Sequence, residues 1–220
     1  MKRAFQVVGW LSVLAIMWPR AAFAMHIMEG FLPPKWCLVW AVPTAVMVAF
    51  GLISINRQLK DNPKLKMMLA LSAAYAFVMS ALKIPSVTGS CSHPTGMGLG
   101  AVLFGPAAMA VVGIIVLLFQ ALLLAHGGLT TLGANGFSMA VMGPVVSYGL
   151  YKMLDKAKAS KGVSVFVSAF AGSLATYVVT SLQLALAFPA EVGGVAASFA
   201  KFAGIFAVTQ LPLSAVDGLL

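Results

Sequence analysis

Long runs of apolar residues dominate the chain, and short polar segments separate them. After the first 24 residues, the runs lie at about 36–56, 67–82, 97–125, 136–151, 163–188 and 199–220. No Asp, Glu, Lys or Arg occurs from Ile84 to Tyr151. The runs are apolar on every side and do not alternate with polar residues, so they predict transmembrane helices and not a β-barrel. The pattern therefore predicts an all-α integral membrane protein.

The run at 97–125 is longer than the roughly 20 residues that one membrane-spanning helix needs. It contains Gly105-Pro106, and a proline removes a backbone donor and clashes with the preceding turn. A break here gives two short crossings, or a re-entrant segment followed by a span. We expect two pieces, and hence a helical bundle of about seven transmembrane helices. The alternative is one long tilted helix.

Charge agrees with this class of protein and orients it. Only 9% of residues are charged, against about a quarter in soluble domains. The net charge of +9 comes mainly from basic clusters at 57–66 and 152–161, which is the positive-inside pattern of cytoplasmic loops. We therefore expect membrane lipid, and no nucleic acid, as a partner. Both clusters are cytoplasmic only if an odd number of crossings separates the outer loop at 84–96 from 151, which favours the break.

The first 24 residues have the three parts of a secretory signal peptide. A basic start precedes an apolar stretch at 4–18, and the small-residue box AFA occupies 22–24. The alternative is an uncleaved first helix. Cleavage would leave a single transmembrane domain, 25–220, whose new amine at Met25 lies outside the membrane.

The pair Met25-His26 has a chelating geometry once that amine exists. The amine, the deprotonated amide nitrogen of His26 and its imidazole can close two fused rings on one ion. Such a nitrogen set suits Cu(II) and Ni(II), with Co(II) as a further candidate. His93, in the predicted outer loop, can supply a fourth nitrogen. The alternatives are an incidental histidine at 26 and a loop-stiffening histidine at 93.

Four further residues are predicted to support this site or to line its cavity. Glu29 can orient His26, or lie in the wet interface. His126 is expected at a helix end, bonded to loop backbone. Ser92 and Asn135 belong to glycine-rich segments that either line a cavity or pack tightly. Two cysteines, at 37 and 91, either form a disulfide or remain thiols.

Other classes of protein fit the sequence less well. An intramembrane serine hydrolase needs a serine aimed at a histidine, and Ser90, Ser92 and His93 are too close in sequence to face one another readily. No G-x-x-x-x-G-K-[ST] motif is present, so ATP hydrolysis is not expected on this chain. A secondary transporter would carry intramembrane carboxylates or charge pairs, and Asp217 alone approaches this.

Three segments resemble one known family in the same order: AMHIMEGFLP, CSHPTGMGLG and LLLAHGGLTTLGANGFSMAVMGP. The family is the substrate-capture membrane subunit of cobalt and nickel energy-coupling-factor transporters. The resemblance implies that the Met25 amine, the His26 amide and imidazole, and His93 hold the metal ion.

The resemblance also implies an ATP-driven importer in a prokaryotic inner membrane, with the mature N-terminus outside. Its partners would be a membrane scaffold subunit, two cytoplasmic ATPase subunits and often a small accessory membrane subunit. The cargo would be Co(II) for cobalamin biosynthesis, or Ni(II), with no prosthetic group. Cobalt and nickel both accept this nitrogen set, so the choice between them stays open.

Overall fold

The computed structural model describes residues 26–82, 84–85 and 91–220. The helices are α1 (Pro34–Asp61), α2 (Leu65–Ala81), α3 (Met97–Phe104), α4 (Pro106–Leu124), α5 (Leu132–Asn135), α6 (Gly143–Lys156), α7 (Lys161–Ala187) and α8 (Gly194–Leu219). The predicted all-α bundle is confirmed. The proposed signal peptide and Met25 lie outside the described residues, and cleavage after Ala24 stays a prediction.

Four helices, α1, α4, α7 and α8, are long and apolar enough to cross a membrane. A π-helix, Gly136–Met142, joins α5 to α6 without a gap, so these three segments form one continuous rod. The described chain thus folds into seven successive helical rods. The short strands β1 (Ile84–Pro85) and β2 (Cys91–Ser92) pair antiparallel before α3.

The predicted break in the apolar run at 97–125 lies at Gly105-Pro106, as expected. Gly105 has φ +83°, a conformation that favours glycine, and Pro106 begins α4, where its missing N–H costs no helical hydrogen bond. The eight residues of α3 measure about 12 Å, well short of the roughly 30 Å hydrocarbon core. The number of complete crossings therefore stays a prediction.

Close helix contacts bring the start of the α5 rod (the continuous helical segment 132–156) into the middle of the bundle. A Cβ placed on Gly133 would lie 2.5 Å from the Cα of Ala41 on α1, so only glycine allows this approach. Thr44, one turn further along α1, donates a hydrogen bond to the carbonyl of Gly133 over 2.8 Å. These contacts fix the start of the α5 rod, which carries polar side chains toward the bundle interior.

Candidate metal centre

The segment before α1 enters the bundle, where α5 and the residue before it hold its backbone. Ile27 is buried, and its N–H donates to Asn135 Oδ1 over 2.8 Å. Its carbonyl accepts from Asn135 Nδ2 at 3.0 Å and from Thr131 Oγ1 at 2.7 Å. Asn135 was predicted to line a cavity, and the structure places it as a clamp on the residue that follows His26.

Three histidines from distant parts of the chain converge beside this clamp. His26, His93 and His126 are all buried, and one ring nitrogen of each lies within 4.8 Å of the others. Nitrogens bound to one ion at about 2 Å are at most about 4 Å apart, so small movements suffice to bring these atoms to a common ion. The arrangement can bind a transition metal.

A hydrogen bond indicates which ring nitrogen of His93 carries the lone pair. Its Nδ1 lies 2.8 Å from the carbonyl oxygen of Pro94, which can only accept. The proton of the neutral ring is therefore on Nδ1, and the lone pair is on Nε2. That Nε2 lies 3.0 Å from Nε2 of His126, and Tyr177 donates its hydroxyl to the His93 carbonyl over 2.9 Å.

A glutamine that the sequence analysis missed makes the opposite selection at His26, where it engages Nε2. Nε2 of His26 lies 3.1 Å from Oε1 of the buried Gln120 on α4. Because that oxygen accepts, the His26 proton is on Nε2 and the lone pair is on Nδ1. Gln120 had a signal in the sequence, since it is the sole polar side chain in the apolar run that forms α4.

His126 belongs to the cluster itself. His126 follows the end of α4, and its backbone N–H donates to the carbonyl of Gln120 over 3.1 Å. This agrees with the predicted place at a helix end. Its side chain, however, faces His93 and not loop backbone alone. Since His93 Nε2 carries a lone pair, His126 Nε2 is the donor of that hydrogen bond.

Glu29 lies at the surface and contacts the loop before α5. It is exposed, and its carboxylate accepts from the backbone N–H of Thr130 at 3.1 Å and from the Thr130 hydroxyl. These hydrogen bonds lower the pKa of Glu29 from 4.5. Of the two alternatives predicted for Glu29, these contacts and its exposure favour a place in the wet interface over a contact with His26.

Ser92 and Cys37 also have clear positions. The Ser92 hydroxyl pairs with Thr209 Oγ1 on α8 at 2.9 Å, and not with His93. This contact removes support from the hydrolase alternative. Among the described residues Cys37 is a free thiol, and its sulfur lies 3.4 Å from the carbonyl oxygen of Leu32. The side chain of Cys91 lies outside the described residues.

One further contact involves Asp217 on α8, which the sequence analysis considered only as a possible transport carboxylate. Its Oδ2 accepts from the N–H and the hydroxyl of Thr95, at 2.7 and 2.9 Å. Its Oδ1 accepts from the N–H of Gly96 at 3.0 Å. Asp217 thus binds the backbone directly after the His93-Pro94 pair.

The helical bundle and its buried histidines define a class: a membrane protein with several long apolar helices and a buried cluster of three histidines that could hold a metal ion. The sequence model of the CbiM family, described as the cobalt uptake substrate-specific transmembrane region, matches residues 26–220. The chain belongs to this family, and the resemblance found in its motifs is confirmed. As a member it is a membrane component of a transport system, and the expectation of a non-enzymatic subunit is consistent with that.

Named relatives and solved structures agree. The chain is 63% identical to the cobalt transport protein CbiM of Kyrpidia tusciae, over 97% of this chain and 88% of that protein. It is 61% identical to the CbiM of Moorella thermoacetica, over 98% and 85%. A transition metal transporter shares its fold with a TM-score of 0.72 and 28% identity, over 88% of this chain and 89% of that one. A truncated transition metal transporter gives a TM-score of 0.71, also at 28% identity, over 88% and 95%.

Proposed function

We propose that this chain captures Co(II) at the outer face of the membrane for an ATP-driven importer. The ligands are the amine of Met25, the amide nitrogen and Nδ1 of His26, and Nε2 of His93. The observation that carries the proposal is the hydrogen bond from His26 Nε2 to Gln120. It leaves the lone pair on Nδ1, the ring nitrogen that can join the amide of the same residue in a chelate ring.

The clamp on Ile27 supports the same proposal. An amide nitrogen becomes a ligand only if its peptide plane is held in the plane of the chelate. Because Asn135 and Thr131 fix both backbone groups of Ile27, the peptide chain is held directly after His26. Preorganisation of this kind lowers the entropic cost of binding.

His126 has a complementary role in this proposal. Its N–H points at the lone pair of His93, which is where an ion would bind. An ion therefore takes the place of this hydrogen bond, and His126 turns aside or contributes its own nitrogen. Before capture, His126 keeps the His93 ring aligned.

Membership of the family supports the remaining parts of the proposal, and the sequence contains no G-x-x-x-x-G-K-[ST] motif that would supply the energy itself. Partner chains supply the energy: a membrane scaffold subunit, two cytoplasmic ATPase subunits and a small accessory membrane subunit. The chain resides in a prokaryotic plasma membrane with its mature N-terminus outside, and the cobalt serves cobalamin biosynthesis. Ni(II) is the alternative cargo, because it accepts the same four nitrogens.

The test is an extension of the mature N-terminus by two residues. Two Gly residues inserted between Ala24 and Met25 move the amine out of the chelate, so Co(II) binding should be lost. An Ala24→Leu variant, which blocks cleavage, should lose binding in the same way. Native mass spectrometry of the purified protein reads the N-terminus and the bound metal together.

The matched control is Met25→Ala, which changes the side chain but keeps a cleavable box and the amine. It should bind Co(II) as the unmodified protein does. Undiminished binding in the Gly-extended protein, with its N-terminus verified in the same spectrum, would show that the amine is not a ligand and would overturn the chelate.

A further inference from the structure

Asp217 is the one buried acidic residue of this protein. The chain has five acidic residues, and the other four, Glu29, Asp61, Asp155 and Glu191, are exposed. Asp217 has 7% of its surface exposed and lies in α8, within an apolar bundle. A carboxylate in such a place is costly, and it is kept where it has a specific partner and a function.

The partner of Asp217 is a short piece of backbone close to His93. Both carboxylate oxygens accept, from two successive N–H groups at 95 and 96 and from the Thr95 hydroxyl, over 2.7 to 3.0 Å. Hydrogen bonds to an ionised carboxylate are roughly twice as strong as neutral ones. Because three donors share one carboxylate, the backbone at 95–96 is held firmly against α8.

The contact with α8 continues on the other side of His93. Ser92 bonds Thr209, two helical turns before Asp217, while Tyr177 on α7 bonds the His93 carbonyl. On the far side the loop presses on α2, because a Cβ on Gly96 would lie 2.8 Å from the Cα of Ala76. The backbone on each side of His93 is therefore attached to the same helix, α8.

We propose that Asp217 is a positioning residue of the metal centre. Its carboxylate fixes the backbone after His93 on α8 and so holds the His93 ring where Nε2 can bind the ion. This inference rests on the proposed metal capture, and it assigns Asp217 an action through His93 and not a direct contact with the ion.

Two other roles for Asp217 give different expectations. As a general stabiliser of the bundle, it would change metal affinity only in proportion to a loss of fold. As a distant negative charge that attracts the cation, it would act with or without His93. A double-mutant cycle separates these cases, because residues that act as one unit are non-additive and independent residues add.

The experiment measures Ni(II) affinity and the visible spectrum of bound Ni(II) for wild type, Asp217→Ala, His93→Ala and the double variant. Loss of the strong hydrogen bonds should weaken binding by at least about tenfold in Asp217→Ala. The spectrum should then shift toward that of His93→Ala, since both lose the fourth nitrogen. In the His93→Ala background the Asp217 change should add less than about twofold.

The matched control is Ser214→Ala, one turn earlier on α8. Its hydroxyl is buried and has no hydrogen-bond partner among the described residues, so affinity and spectrum should be unchanged. If Asp217→Ala does not fold, Asp217→Asn replaces it in the cycle. The isosteric amide sets an NH2 group against a backbone N–H, and it should produce the same spectral shift to a smaller degree.

Each result decides between the proposals. Additive losses in the cycle, or a weakened variant with the wild-type spectrum, overturn the positioning role. Wild-type affinity in the folded Asp217→Ala or Asp217→Asn protein does so as well. The proposed capture itself fails on a different result, namely full binding after His26→Ala, so the two failures are distinguishable.

Discussion

At the scale of single residues, the hydrogen bonds of His26 and His93, the two proposed ligand histidines, decide which nitrogen each ring offers to an ion. Replacing Gln120 by Leu removes the acceptor for the His26 N–H and frees the ring to turn or to change tautomer. We expect metal affinity to fall by about 10- to 100-fold, the usual effect of losing such an outer partner. Calorimetry on the purified variant measures this.

The control for Gln120→Leu is Gln210→Leu on α8. Gln210 is equally buried, and its amide has no hydrogen-bond partner among the described residues. It should leave affinity unchanged, which separates the effect of the His26 contact from that of removing any buried amide. Equal losses in the two variants would contradict the role given to Gln120.

The three histidines should differ in their importance. His26→Ala destroys a chelate ring and should abolish measurable binding, while His93→Ala loses one nitrogen that water can replace. His126→Ala removes a neighbour of His93 and should be the mildest of the three. The measurement is metal affinity by calorimetry, and a greater loss for His126→Ala than for His93→Ala would make His126 the fourth ligand.

At the scale of elements, the break between α3 and α4 controls the predicted topology. Single cysteines placed at Asn62 and at Ala159, in a chain whose own two cysteines are replaced by serine, should react with a membrane-impermeant reagent only from the cytoplasmic side. A cysteine at Val87, outside the described residues, should react only from the outside. Labelling of positions 62 and 159 from opposite sides would mean that the 97–125 region crosses once.

The elements themselves were largely predictable, because their signals are local. Long apolar runs gave α1, α7 and α8, and Gly105-Pro106 gave the break. The change from α5 to the π-helix and then to α6 has no such signal, because the same apolar residues could equally form one regular α-helix. The entry of the segment before α1 into the bundle was not predictable either, because it depends on contacts with residues more than a hundred positions away.

The site shows the same division between local and long-range information. His26 and His93 were predicted as ligands from an N-terminal chelate motif and a loop motif, both readable within a few residues, and the structure brings the two side chains together with His126. The contacts of Gln120 and Asp217 were not, because they join residues separated by 94 and by 122 or 121 positions. A lone polar residue in an apolar helix marks a candidate, but it does not say which partner it meets.

At the scale of the whole molecule, an ion that binds only the folded protein must stabilise it. At a thousandfold excess over Kd, this is about 4 kcal/mol. The ligands must be deprotonated, so the gain in Tm caused by Co(II) should shrink as pH falls from 8 toward 6. The amine, with a reference pKa near 8, begins this loss, and the histidines, near 6.5, complete it.

The titration of Glu29 does not affect the measured dependence of the Co(II)-induced gain in Tm on pH between 6 and 8. Its pKa is lowered from 4.5, so the folded state favours the ionised form; this contribution to stability is fully present well above pH 4.5 and is lost as pH falls below that value. Glu29→Gln should therefore shift Tm by the same amount at pH 6 and pH 8, with or without metal. A Co(II) effect that is constant across this range would contradict the deprotonated nitrogen ligands.

The attachment of the His93 loop to α8 has a consequence for biosynthesis. A nascent chain leaves the ribosome from its N-terminus, so in the proposed function the exported amine and both histidines of the chelate reach the membrane before α8 has been made. Until α8 packs, neither Ser92 nor the backbone at 95–96 has its partner on that helix, and the hydrogen bond from Tyr177 is the support that His93 already has. We therefore expect the growing chain to pass through translocation as a weak chelator and to acquire full affinity for metal when its last described helix is in place.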